Sequence, residues 1–440
     1  MGATGVAGVK GHSSLYYNPA GLTRTYTLNG RLDISGLFGS SSVSSTNADF
    51  NADAEGEVGS SGFLGIGLAS PVSMDECPTC QKDNAMIAHD CPVCGTTLPA
   101  AQESVWYDAL YWGFWVEFPV TSGTGVKITS DQQNPEWAQY GRASSRLAAS
   151  VGMGYKINDW VSAGLSMTLF YISNGVINNE ISAFNPGEFS NITVDQGVDF
   201  AGSLNLGLLF AVTEEIDLGF CFRSERAGQT NSDSSTKLET VFIATTTEFL
   251  IRSTTGFSPV QVALGIHWEI NDDWNVAFDL TWMNWSEYEG PYSFLTTAGG
   301  TGATAMPHTP ADYSDIIVPR IGVEYIINET WKVRGGYGFR PNPAPDQDGL
   351  MNIIDSSSHM VTFGVEYKIN QTLYLDGFLQ VHIFNEQSTT EDPSRFPVFE
   401  NQPNPNPPPA LIDIPVDPVV DTWSATGTFF MLGFSFNFVL

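Results

Sequence analysis

Four cysteines stand in a pattern suited to metal binding. Cys77 and Cys80 form CPTC, and Cys91 and Cys94 follow in CPVCG. Each C-x-x-C knuckle aims two thiolates at one centre, and Zn²⁺ takes four in a tetrahedron, so the spacing points to zinc. Gly95, after the second knuckle, permits a tight backbone turn. The same thiols can form disulfides in an oxidising compartment, and that reading stays open. His89, between the knuckles, could replace one thiolate, though it reads more simply as a solvated loop histidine. Catalytic chemistry finds less support. The six histidines at 12, 89, 267, 308, 359 and 382 are scattered, and none lies in a G-x-S-x-G or HExxH context. The chain is therefore not expected to be an enzyme.

The elements that carry these residues have a period of two. From Val260 to Ile270 one face reads Val260, Val262, Leu264, Ile266, Trp268, Ile270, and the other Gln261, Ala263, Gly265, His267, Glu269. The segments from Trp274 and from Leu373 alternate in the same way. A helix does not keep this period. Five short turns share one grammar: YKINDW (155–160), AVTEEI (211–216), WEINDDW (268–274), YIINETW (325–331) and YKINQTL (367–373). Asn, Asp and Thr suit tight reversals, and Trp and Tyr beside them suit a membrane–water interface. Long polar segments, among them 229–256 and the proline-rich 386–422, join the opposite strand ends. Short turns at one end and long loops at the other are the asymmetry of an outer-membrane barrel.

Composition agrees. Of 440 residues, 15% are charged and 12% aromatic, and mean hydropathy is -0.06, as expected when polarity is hidden on one side of each strand. No apolar run approaches the roughly 18 residues of a membrane helix, which leaves a barrel as the spanning fold. The net charge of -30 speaks against nucleic acid as a partner. The expected fold is all-β: a transmembrane antiparallel barrel of about fourteen strands, starting near 26, 57, 103, 143, 160, 197, 216, 257, 274, 315, 331, 359, 373 and 424. Its inward charges would be Glu269, Asp279, Arg320, Glu324, Arg334, Glu366 and Asp376. Charges in a narrow bore must be paired or hydrated. They are expected to brace the interior through ion pairs, with Arg320 or Arg334 available to a carboxylate ligand. Cys221 is expected as a lone buried thiol facing the lumen.

The first 25 residues are not strand-like and contain HSSLYYNPAGLTRT, with Asn18, Pro19 and Ala20 at its centre. This segment resembles the N-terminal hatch of the FadL/TodX family of outer-membrane proteins. SPVQVALGIHWEINDDWNVAFDLTWMNWSEYEG (258–290) and VPRIGVEYIINETWKVRGGYGFRPNP (318–343) resemble that family too. The resemblance implies a hatch over 1–25 plugging a barrel over 26–440. It implies passive uptake of hydrophobic small molecules, long-chain fatty acids or aromatic hydrocarbons, across the outer membrane of a Gram-negative-type bacterium. It also implies lateral exit where the third strand is kinked beside the hatch, and Gly113 and Pro119 in VWYDALYWGFWVEFPV are the candidate kink residues. A general diffusion porin or a structural or adhesion barrel is the alternative.

The partners implied are membrane lipid and lipopolysaccharide, the hydrophobic ligand and, during biogenesis, the barrel-assembly machinery, which would read the terminal strand Phe430–Leu440. The cysteine insert, about 75–100, resembles a zinc ribbon. It falls in the first periplasmic turn, where it would dock a periplasmic partner or brace the hatch. The opening MGATGVAGVKG has no basic and apolar leader, so the chain is expected to start as a mature or truncated form.

Overall fold

The computed structural model describes residues 1–24, 31–47, 52–54, 61–72, 75–76, 83–84, 109–120, 147–182, 191–239, 244–288, 292–298, 304–305, 312–345, 355–390 and 422–439. Its barrel strands are β1 (Arg31–Asn47), β2 (Ser61–Pro71), β3 (Leu110–Pro119), β4 (Ala148–Lys156), β5 (Val161–Ser182), β6 (Asn191–Ala211) and β7 (Ile216–Arg223). They continue with β8 (Gln261–Glu269), β9 (Trp274–Met283), β10 (Ile316–Ile326), β11 (Trp331–Arg340), β12 (Ser358–Lys368), β13 (Leu373–Thr390) and β14 (Thr422–Val439). Each pairs antiparallel with the next. β14 returns to β1 from Arg31 opposite Val439 to Asn47 opposite Trp423, which closes a fourteen-stranded barrel.

Alternation sets the two faces. On β8 and β9, Leu264, Ile266, Trp268, Trp274, Phe278, Leu280 and Trp282 are exposed on the outer wall, while Ala263, His267, Ala277, Asp279 and Thr281 are buried inside. The short turns close by one mechanism. Asn158 Oδ1 accepts from the backbone N–H groups of Trp160 (3.0 Å) and Val161 (2.7 Å), Asn271 and Asn328 repeat this within their own turns, and Asn370 accepts from the N–H and hydroxyl of Thr372. In the remaining turn Thr213 Oγ1 takes the part of the Asn side chain. Trp274 stacks on Tyr325 and Trp331 on Tyr367, with centroids 4.5 and 4.4 Å apart, beside these turns.

The opposite rim adds pairing to the long polar segments expected there. Within 229–256, Arg226–Glu239 and Ala244–Ser258 form a hairpin. Ser232–Glu239 runs parallel to Gly175–Ser182 of β5, and Glu248–Ser253 pairs with Tyr292–Ala298. Arg226 reaches the ring of Phe170, a lumen-facing residue of β5, at 5.6 Å, so the hairpin leaves β7 toward the inside of the mouth. Phe257, Trp285, Tyr288 and Tyr313 pack with Ile316 and Val318 at the base of this layer.

Candidate functional site

The leading segment packs against the lumen face of the wall. It contains a 3-10 turn (Gly11–Ser13), one helical turn (Ser14–Tyr17) and a second 3-10 turn (Pro19–Arg24). The residue before a proline is driven out of the helical region, and Asn18 is extended, with φ -165° and ψ 105°. The helix therefore stops at Tyr17 and the Asn18 side chain turns to the wall. Its Nδ2 donates to the Val6 carbonyl (2.7 Å) and to the Leu208 carbonyl of β6 (3.0 Å), and its Oδ1 accepts from Ala20 N–H (3.1 Å). Asn18 is fully buried, so all three bonds are dry. The helical turn ends on the wall as well. The Leu15 carbonyl accepts from Ser166 Oγ (2.6 Å) and Asn205 Nδ2 (2.8 Å), and the Tyr16 carbonyl from Arg223 Nη2 (2.6 Å).

The wall makes room for this segment by omitting side chains. A Cβ at Gly207 would fall on Asn18 Oδ1, and one at Gly164 would fall on Pro19. Gly113, Gly219, Gly322 and Gly336 stand against Leu22, Val6, Met1 and Gly2 in the same manner. On β9, which has no glycine, Asp279 Oδ2 accepts from the N–H groups of Gly5 (2.7 Å) and Val6 (3.1 Å) instead. Two polar pairs complete the seat: an ion pair of Arg24 with Asp217 of β7, and a hydrogen bond of His12 with Asp33 of β1, which also accepts from Arg31 Nε at 2.7 Å. Cys221 is a free, buried thiol packed against Val6 and Ala263. Burial pushes the Tyr17 phenol up to about 12, so it stays neutral. Arg223, 4.0 Å over the Tyr16 ring, holds that phenol below its ordinary value.

The expected inward charges divide by role. Arg334 is not available to a carboxylate ligand: its Nε donates to Glu324 (2.6 Å), its Nη1 to Asp376 (2.8 Å) and its Nη2 to Glu366, tying β10, β11, β12 and β13 together. Lys332 adds a second contact to Glu366 at 3.1 Å. These residues brace the wall to itself rather than to the leading segment. Asp279 does brace that segment. Arg320 donates to Thr281 Oγ1 at 3.0 Å and has no carboxylate partner among the described residues. Glu269 lies exposed at the end of β8, beside its short turn to β9.

β3 runs in unbroken register with β2 from Tyr111 to Pro119, and with β4 from Leu110 to Glu117. No kink interrupts the ladder at Gly113, whose missing side chain seats Leu22, and Pro119 is the terminal residue of the strand. The described wall is thus closed beside the third strand. Cys77, Cys80, Cys91 and Cys94 lie outside the described residues. Around the first knuckle, Asp75–Glu76 pairs with Asp83–Asn84.

A cavity of about 320 Å³ lies on the leading segment, between it and β1–β3 and β13–β14. His12 and Ser13 form part of its floor. Its apolar walls include Leu37, Phe63, Trp115 and Phe378, and its polar walls Glu117, Asp376 and Asn437. Trp115 stacks on His12 with centroids 4.5 Å apart, so one ring belongs both to the cavity and to the seat. Sequence reasoning placed Asp376 inside the barrel but missed the aromatic lining around it. The available signal was the placement of Phe63, Trp115 and Phe378 on inward positions, where the alternation calls for polar or small side chains.

A family model described as outer membrane protein transport protein (OMPP1/FadL/TodX) matches residues 2–398. Alkane uptake protein A of Marinobacter nauticus is 26% identical over 154 residues, which is 33% of each chain. The crystal structure of a Pseudomonas aeruginosa FadL homologue superposes with a TM-score of 0.57 at 12% identity, covering 99% of this chain and 96% of that one. The toluene transporter TodX of P. putida gives 0.55 at 14% identity over 100% and 96%, and TbuX of Ralstonia pickettii gives 0.51 at 14% over 100% and 96%. At these identities the superpositions establish a shared fold, and the family match covers the segment that seats itself inside that fold together with most of the wall. The chain is a member of the OMPP1/FadL/TodX family of outer-membrane transport proteins.

Proposed function

We propose that the protein is a passive carrier that takes up hydrophobic small molecules through its lumen and releases them sideways into the membrane, with residues 1–24 acting as the hatch. The family is one of transport channels and not of enzymes. The observation that carries the finer reading is the cavity resting on the leading segment, walled by Leu37, Phe63, Trp115 and Phe378. An apolar molecule gains about 0.8 kcal/mol per buried methylene on leaving water, which drives it into such a space without an energy source. The relatives named for alkane and toluene suggest hydrocarbons as its cargo.

Release calls for two paired strands to part. β2 and β3 are the candidates: they flank the cavity, carry Gly65, Gly67 and Gly113 on their inner face, and end at Pro119, which has no N–H to give the ladder. The kink expected at Gly113 and Pro119 would then belong to an open form. Ile66 and Val116 face each other across this pair. A disulfide between Ile66→Cys and Val116→Cys should stop toluene uptake by cells, and reduction should restore it. Uptake indifferent to the lock would reject lateral release at this place, and uptake indifferent to the presence of the chain would reject transport itself. Two further roles remain proposals: zinc at Cys77, Cys80, Cys91 and Cys94 with a periplasmic partner at that insert, and recognition of the last strand by the assembly machinery.

A further inference from the structure

We propose that Glu117 makes the lumen cavity a binding site for a hydrophobic molecule bearing a hydroxyl group, an alcohol or a phenol. The inference rests on the uptake reading, since the molecule must reach the lumen. Glu117 lines the cavity from β3. Among the described residues its carboxylate has neither a hydrogen-bond nor an ion-pair partner, unlike Asp376, which holds Arg334 and Asn437. The neighbours explain why. Glu117 stands opposite Gly65 on β2 and Ala148 on β4, and the next inward residue of its own strand is Trp115. Gly65 and Ala148 carry no donor, Trp115 is stacked on His12, Ser150 on β4 bonds Thr168 instead, and Phe63 lies on the diagonal of β2.

A carboxylate left beside aromatic and aliphatic walls is costly unless something donates to it. A ligand whose apolar body lies on Trp115, Phe63 and Leu37 and whose hydroxyl reaches Glu117 satisfies both. The charge around the cavity selects among donors. A carboxylate ligand meets Glu117 and Asp376, which repel it. An ammonium ligand would meet the Glu117 charge, but it must first shed the tight hydration of a full charge among aromatic walls. A neutral hydroxyl meets neither penalty.

The test compares phenol with toluene, near-equal in shape, on the full chain in lipid nanodiscs, by saturation-transfer NMR with empty nanodiscs subtracted. Ser35→Trp, which fills the cavity, marks the cavity-specific signal. The wild type should favour phenol by about tenfold or more over the ratio found in Glu117→Leu, the scale of a hydrogen bond to a charged group. Glu117→Gln, which keeps an acceptor oxygen, should fall between. All variants are first checked for the heat-modifiable gel shift of an intact barrel. Equal ratios in the wild type and Glu117→Leu overturn the proposal, as does phenol binding that Ser35→Trp leaves untouched. Toluene binding that Ser35→Trp removes, with no preference for phenol, overturns it while leaving hydrocarbon uptake standing.

Discussion

Replacing Gly207 by valine should unseat the leading segment without harming the wall. A Cβ at 207 falls on Asn18 Oδ1 and lies 2.8 Å from Pro19 Cδ, so the Asn18 side chain must withdraw. Valine suits a strand, and the backbone bonds of β6 to β5 and β7 do not involve the side chain. Asn18 gives up three bonds: to the Val6 and Leu208 carbonyls and from Ala20 N–H. A buried group left without its partner costs about 1–3 kcal/mol. Two of the three groups belong to the segment itself and regain water when it leaves, so the net loss is about 1–3 kcal/mol. That shifts the ratio of displaced to seated segment by roughly one to two orders of magnitude. Asn18→Leu, close in volume but unable to bond, should act in the same direction with the wall untouched. The assay is proteoliposome swelling in a small sugar such as arabinose. The wild type should swell little and both variants faster. If both variants fold, by their heat-modifiable gel mobility, and swell no faster than the wild type, then Asn18 does not hold the lumen shut and the reasoning from its bonds is wrong.

Arg334→Met should lower barrel stability by about 3–5 kcal/mol, since it leaves Glu324, Glu366 and Asp376 facing one another with Lys332 as the nearest cation. Urea unfolding in liposomes followed by tryptophan fluorescence checks this, and an unchanged midpoint would show that the network is already solvated. The pair Cys77→Ser with Cys91→Ser should abolish bound zinc in elemental analysis of the purified chain. Zinc content equal to that of the wild type would end the metal assignment.

The wall was legible because its physics is periodic. A lipid-facing strand must alternate, and Trp268 and Trp274 flank a turn whose Asn271 must close it, so β9 begins at Trp274 as expected, while β8 begins at Gln261 and not near 257. The inward charges were legible as a set but not in their pairing. Arg334 and its three carboxylates lie on four different strands, and only the register of β10 to β13 brings them together. The hairpin in 226–258 was hidden for the opposite reason: its residues carry no strong alternation, and it is held by pairing with β5 and with Tyr292–Ala298. Gly113 was weighed as a backbone weakness, whereas its contact is with Leu22, a residue distant in sequence whose place no local pattern reveals.

The position of the cavity follows from where the wall lacks side chains. From β4 to β8 and on β10 and β11, inward glycines let the leading segment lie directly on the backbone, as at Gly164, Gly207, Gly219 and Gly336. On β1, β13 and β14 the inward positions hold Leu37, Phe378, Asp376 and Asn437, which keep the segment at a distance. The segment is therefore seated off-centre, and the space it leaves opens toward β3. Its mixed lining matters for flow. A wholly apolar pocket would hold a hydrocarbon about as well as the bilayer does, and release would gain little. Glu117, Asp376 and Asn437 keep part of the surface polar, so an apolar molecule leaves water readily on entering but gains again on passing into lipid. On the proposed lateral route, the direction of transport would be set by hydration alone, from water through a half-polar waypoint to the membrane.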